Sequence, residues 1–416
     1  MRTRNTASTI QFWMVLAALV LSSTAWSAPK RHAGLDAKAL ARLKTKAKAE
    51  HSTALVVFHK GKPIVQEYFG ADPETAVMAM SVTKSVAALG IGIMVDKGML
   101  SLDTPLSKGV IPEWAGGDHA GITLRQLLAH TSGIDQGRYG LGKPPKWSTG
   151  TIEAHVVGGA LKTPPGEAFA YNNNAVDFLS VIARRAHPEG MYFDDFLQHQ
   201  LFGPLGVIGA FWSKDGRGDA RAAGELLIRP MDLAKIGLLV LQRGKWQGKQ
   251  LVSEAWIDEM LAPGQKITDQ CGLLWWRDGR PKAYTMNAAR LERWGKAGVK
   301  AETVEKASTL IGKRFTDFDV AKASLKARIG DTEFDLVART LEANRTRMFE
   351  FETEPLAWRA DGWLGQYVIV VPGADLVAVR MRDPRRTSWK ADEYSYTDFR
   401  WDVLEVAGIK VPKAMR

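Results

Sequence analysis

The segment "MSVTKSVAALGIGIMVDKG" (80–98) carries the hydroxyl of Ser81 and the amine of Lys84 three positions apart, on one face of a helix. A serine hydroxyl is a weak nucleophile until a base takes its proton, and a lysine becomes such a base when desolvation lowers its pKa. The spacing alone is a weak signal, since Ser27-Ala28-Pro29-Lys30 repeats it near the N-terminus. Context separates the two copies. No charged residue occurs from Val86 to Val95, so the helix that follows Ser81 is expected to be buried. A lysine at the start of a buried helix needs a partner or a purpose.

A third group occurs in "GEAFAYNNN", where Tyr171-Asn172-Asn173 follows the turn Pro164-Pro165-Gly166. A phenol beside a lysine ionises more easily, and an asparagine can hold a lysine and a substrate carbonyl at once. Taken alone, such a stretch is more often a turn capped by Asn side chains. Other chemistries lack their residues. There is no Gly-x-Ser-x-Gly elbow and no Walker loop, and all 8 histidines precede residue 200 without metal-ligand spacing. Gly90-Ile91-Gly92 lacks the third glycine of a dinucleotide loop and is better explained by close helix packing. No cofactor and no metal are expected.

The elements that would position these groups can be read from periodicity. Residues 35–50 have helical apolar spacing, and 54–70 form two β runs joined at Lys60-Gly61-Lys62-Pro63. From about 103 to 260 the signals are mostly helical, broken by Gly- and Pro-rich loops such as "GRYGLGKPPKWSTG". Strand signals return in "CGLLWW" (271–276) and in "GQYVIVVPGADLVAVRMR" (365–382), a hairpin turning at Pro372-Gly373-Ala374-Asp375. A closing helix is expected over about 391–408. Strands at both ends predict a two-lobed α/β fold: an antiparallel sheet built from N- and C-terminal segments, flanked by helices, with an inserted mostly helical lobe and a site in the cleft between. Residues 281–359, rich in charge, read as a helical insertion, either a subdomain or a lid.

Composition is that of a globular protein, with 45% hydrophobic and 24% charged residues in 416. Arg2 and Arg4 precede an apolar run from Ile10 to Trp26, which predicts a signal peptide over 1–27, cut after Ser27, with the mature domain over 28–416 in a secreted or periplasmic protein. Loss of Arg2 and Arg4 takes the formal charge from +11 to +9. On an exported chain this excess suits peripheral contact with anionic envelope components and not nucleic acid, while the scatter of the charges, with no basic block, favours an ordinary solvated surface over a dedicated anion site. Cys271 is the only cysteine and reads as a small core residue.

Taken together, Ser81-x-x-Lys84, "ITLRQLLAHTSGI" (122–134), Tyr171-x-Asn173, "LFGPLGV" (201–207), "RPMDLAKIGLLVLQRGKWQGKQLVSEAWI" (229–257) and "GWLGQYVIVVPGADLVAVR" (362–380) resemble the serine β-lactamase and penicillin-binding superfamily. The likeness is to its class C β-lactamase-related branch of esterases, carboxypeptidases and 6-aminohexanoate-dimer hydrolases. It spans roughly 50–276 and 360–408. The resemblance implies a β-lactamase/transpeptidase-like fold with Ser81 as the acylated nucleophile, Lys84 as its proton partner and Tyr171 as the proton shuttle. Asn173 would position Lys84 and substrate. The third motif of the family would fall at Ala360-Asp361-Gly362, with the backbone N–H groups of Ser81 and Trp363 as oxyanion hole. His130, in "LLAHTSGI", would be structural.

One departure bears on substrate. Ala360 stands where relatives that grip a substrate carboxylate carry Lys or His, so a neutral ester or amide is favoured unless Arg359 or an arginine from the insertion substitutes. Trp275, Trp276 and Trp363 are candidates to line an acyl or leaving-group pocket. The competing readings are a β-lactamase or D-alanyl-D-alanine carboxypeptidase, and a non-catalytic envelope-binding protein on the same fold.

Overall fold

The computed structural model describes residues 34–136, 151–344, 346–383, 385 and 396–411. The expected leader (1–27), the loop "GRYGLGKPPKWSTG" (137–150) and the start of the expected closing helix lie outside these residues.

A seven-stranded antiparallel sheet is the frame. In chain order its strands are β1 (Ala54–His59), β2 (Lys62–Tyr68), β3 (Trp276–Thr285), β4 (Arg314–Phe315), β5 (Glu350–Gly362), β6 (Gln366–Val371) and β7 (Leu376–Met381), and in space they run β2-β1-β7-β6-β5-β3-β4. The register Ala54↔Met381 through His59↔Leu376 joins the N-terminal hairpin to the C-terminal one. Both sheet faces are covered, so the central strands are apolar throughout instead of alternating. Leu55, Val57, Ile369 and Ala378 point to a layer formed by α1 (Ala37–Ala49) and the C-terminal helix Phe399–Val406. Val56, Val368, Val377 and Val379 point to the larger helical lobe.

That lobe contains the site helix, α2 (Val82–Asp96), with every residue from Val82 to Met94 buried. Against it pack α3 (Asn173–Ala186) and α4 (Glu254–Leu261). Gly90 and Gly92 are explained by packing: a Cβ at Gly92 would lie 2.1 Å from the Trp256 indole nitrogen, which donates to the Ala88 carbonyl at 3.1 Å. Among the described residues no helix is long and apolar enough to cross a membrane.

Three expectations need correction. "CGLLWW" is not a strand: Cys271 makes an isolated bridge to Trp276, Leu274 has φ 60°, and β3 begins only at Trp276. The interval 281–359 is helical only in its middle, because β3 and β5 pair from Glu350↔Thr285 to Arg359↔Trp276 and carry the main sheet into it. Four helices, Ala288–Lys296, Ala301–Ser308, Phe318–Ile329 and Asp331–Ala343, close over a core of their own around Trp294, Leu325 and Val337. The closing helix is shorter than expected, Phe399–Val406.

Candidate active site

α2 begins abruptly. Met80 has φ 49°, a conformation disfavoured for a non-glycine residue, and the first turn closes with bonds from Val82, Thr83 and Lys84 N–H to the carbonyls of Ala79, Met80 and Ser81. This puts Ser81 at the exposed mouth of a helix whose next residues are buried. Lys84 is 3% exposed, and its ammonium donates to Ser81 Oγ at 3.1 Å and to the Ala223 carbonyl. Burial pushes the Lys84 ammonium down to about 7, opposed by the Asp177 carboxylate.

Tyr171 comes from the loop before α3, and its phenol lies near enough to the Ser81 hydroxyl for that group to favour its ionised form. Its ring lies 4.9 Å from Lys84 Nζ, 4.7 Å from the His130 ring, and stacks on Trp276 at 6.3 Å with an interplanar angle of 13°. Although the residue as a whole is 37% exposed, enclosure of the phenol among these groups pushes it up to about 12, with the Asp361 charge adding to the rise and the Ser81 hydroxyl opposing it. His130 is held by the Asn172 N–H donating to its Nδ1 at 3.2 Å, and burial beside Lys84 drives its pKa down to about 3. It is therefore a neutral acceptor that ties the Tyr171 loop to "LLAHTSGI".

The end of β5 forms the opposite wall. Gly362 lies so close to the turn before Ser81 that a Cβ there would be 2.6 Å from the Ala79 carbonyl. The turn that follows is fixed by buried Arg380, which donates to the carbonyls of Leu364 and Gly365 at 3.1 and 2.6 Å. Ala360 is fully buried in the core and presents no polar group. Arg359 does not substitute for the missing cation: it is 8% exposed, its Nε donates to Asp278 at 2.9 Å and its other arm pairs with Asp361. The group that does reach the pocket is Asp361, whose carboxyl is held above its ordinary range by burial and whose Oδ1 has no hydrogen-bond partner among the described residues. Ser81, Lys84, Ser85, His130, Tyr171, Cys271, Leu274, Trp276 and Asp361 line a tight pocket of about 10 Å³.

The structure thus brings Ser81, Lys84 and Tyr171 together and sets Gly362 against the turn before Ser81. It does not bring Asn173 onto Lys84, whose hydrogen bonds go to Ser81 and Ala223; Asn173 is the first residue of α3, and its Oδ1 is buried without a partner among the described residues. The neighbouring Asn172 caps that helix, accepting from Ala175 N at 3.1 Å. Trp276 lines the pocket, but Trp275 is core, donating to the Ser85 carbonyl at 3.2 Å, and Trp363 is half-buried in the turn beyond Gly362 and outside the lining. Cys271, expected as core, is buried and also lines the pocket; burial pushes its thiol up to about 12, which keeps it unreactive.

A family model described as Beta-lactamase matches residues 37–382. The chain belongs to the beta-lactamase family. Its fold is the β-lactamase/transpeptidase-like one, and the family is one of serine hydrolases. A 6-aminohexanoate-dimer hydrolase from Paenarthrobacter ureafaciens is 25% identical over 230 residues, which is 51% of this chain and 58% of that relative. Solved structures that share the fold include a penicillin binding protein and a class C beta lactamase. The penicillin binding protein from Bacillus halodurans has a TM-score of 0.54 at 15% identity, covering 84% of this chain and 96% of that one. The class C beta lactamase from Rhodobacter sphaeroides has a TM-score of 0.53 at 15% identity, covering 89% and 99%.

Two residues of the site were missed from sequence. Asp361 enters the sequence reading only as the middle residue of Ala360-Asp361-Gly362. Asp177 lies six residues after Tyr171 inside "AVDFLSVIA", a charge in an apolar helix, the same signal that singled out Lys84.

Proposed function

We propose that the protein is an exported serine hydrolase that cleaves a small ester or amide through an acyl-enzyme on Ser81. The observation that carries this reading is the 3.1 Å contact from Lys84 Nζ to Ser81 Oγ, made by a lysine that burial leaves largely neutral above pH 7. Neutral Lys84 takes the Ser81 proton as Oγ bonds to the substrate carbonyl carbon. Tyr171, kept as a phenol, donates its proton to the leaving group and is reprotonated from Lys84. Water then hydrolyses the ester of Ser81 by the reverse path. The backbone N–H groups of Ser81 and Trp363 are the proposed oxyanion donors, with the abutment of Gly362 on Ala79 in support. Export follows from the leader reading, and a mature N-terminus other than Ala28 would count against it.

Ser81→Ala is expected to abolish turnover of p-nitrophenyl esters and covalent labelling by a fluorophosphonate. Normal labelling of the variant would remove the nucleophile assignment, and a native protein that neither labels nor turns over, but binds anionic polymer in a salt-sensitive way, would favour a non-catalytic envelope binder. The second reading within the family is a β-lactamase or D-alanyl-D-alanine carboxypeptidase, favoured by the family match. Against it stand Ala360, the double pairing of Arg359, and a carboxyl, Asp361, where an anionic substrate would need a cation. The expected result is faster turnover of uncharged esters than of nitrocefin, with the opposite order refuting the electrostatic reasoning.

A further inference from the structure

Lys84 has a charged neighbour on the wall away from the pocket that the mechanism above does not use. Asp177 lies in α3 among Ala175, Val176, Phe178, Leu179, Val181 and Ile182, all buried, and is itself 2% exposed. A carboxylate in such a setting is costly unless it is hydrogen-bonded and has a counter-charge. Asp177 has both. Its Oδ1 accepts from the Ala223 N–H at 2.7 Å, while the carbonyl of Ala223 accepts from Lys84 Nζ. One residue of the loop before Leu226–Ile228 is therefore gripped at its N–H by the carboxylate and at its C=O by the ammonium.

Other described groups also face this pair. Facing Asp177 from the same loop are Arg221 and Glu225, of opposite sign. Facing Lys84 are Ser81 on its own helix, the Tyr171 ring, and His130, which burial keeps neutral. Asp177 is the carboxylate whose charge acts on Lys84.

We propose that Asp177 is a positioning residue for the reaction: it fixes Lys84 through Ala223 and stabilises the ammonium that Lys84 becomes when it accepts the Ser81 proton. The inference rests on the reading of Lys84 as the base. During acylation the Ser81 O–H bond breaks, an N–H bond forms on Lys84, and Oγ bonds to the carbonyl carbon. Positive charge then develops where burial opposes it, and a carboxylate already in place offsets that without reorganisation. When Lys84 returns the proton through Tyr171 to the leaving group, the pair regains its starting charge. Burial makes Lys84 able to lose a proton, and Asp177 keeps it able to gain one.

The test is Asp177→Asn, which preserves shape and an acceptor for Ala223 while removing the charge. The acid limb of kcat/KM for an uncharged ester should move to lower pH by about one to three units, and the plateau should fall roughly tenfold because the base is weaker. A variant with a lowered plateau but an unmoved limb would show that Asp177 is merely structural and overturn the proposal. Asp177→Ser, which also removes the charge, serves the same comparison if the Asn variant does not fold. On the unsubstituted enzyme, carboxyl-carbon NMR of aspartate-labelled protein should show Asp177 responding across the pH interval of the activity limb; a resonance flat through that interval would also overturn it. Failure of Ser81→Ala to abolish turnover would instead strike the underlying function, so the two failures are distinguishable.

Discussion

The pH dependence of turnover separates two mechanisms that share the same residues. If Lys84 is the base, activity follows the fraction of enzyme in which its amine is neutral. Burial sets that amine near 7, so the fraction rises from about one-tenth at pH 6 to about nine-tenths at pH 8. If a Tyr171 phenolate were the base, its phenol at about 12 would leave only about 1 molecule in 10⁵ active at pH 7, with tenfold gains per unit up to high pH. His130 cannot mimic the first limb, because its imidazole is already neutral down to about pH 3. The assay is kcat/KM for a p-nitrophenyl ester from pH 5 to 10 at constant ionic strength, corrected for spontaneous hydrolysis. The expected profile has unit slope below a midpoint near 7 and is flat from about pH 8. The midpoint belongs to the Lys84 and Asp177 pair as a unit, since each charge moves the other. A rate still rising tenfold per unit between pH 9 and 10 would refute the assignment of Lys84 as base.

Two packing predictions follow from glycines. Gly92→Ala places a Cβ 2.1 Å from the Trp256 indole nitrogen and threatens its bond to Ala88; overpacking of about 1–3 kcal/mol outweighs the helix-propensity gain of about 1, so urea unfolding should show net destabilisation. Gly362→Ala sets a Cβ 2.6 Å from the Ala79 carbonyl and forces the wall away from Ser81; kcat/KM should fall about 10- to 100-fold, and the melting temperature should fall as well because the clash is with backbone.

The paired hairpins were legible because long apolar runs bounded by Lys60-Gly61 and Pro372-Gly373 leave little choice of structure, and β1, β2, β6 and β7 lie where the runs predict. "CGLLWW" misled for a related reason. Its apolar run is buried, as a strand would be, but its backbone turns through Leu274 so that Trp275 enters the core while Trp276 faces the pocket. Burial was readable and direction was not. The same holds at the ends of the insertion, where Glu354 lies inside the charged interval read as helical but pairs across β3 and β5 with Arg280, just before it.

For the site, type and spacing identified Ser81, Lys84 and Tyr171 because their chemistry is carried by the side chains themselves. The electrostatics that tune them depend on groups far apart in sequence. Asp177 lies 93 positions after the lysine it faces across the peptide of Ala223, and Arg359 joins Asp361 to Asp278, 81 positions before that arginine. Neither partnership has a local pattern. What the sequence does offer is a rule used for Lys84 that extends to Asp177: a charge inside an apolar helix should prompt a search for its opposite inside another. In this molecule the two helices so marked, α2 and α3, pack against each other, and their charges meet behind the nucleophile. A base at Lys84 needs an environment that disfavours its ammonium at rest and tolerates it during reaction, and no single helix can provide both.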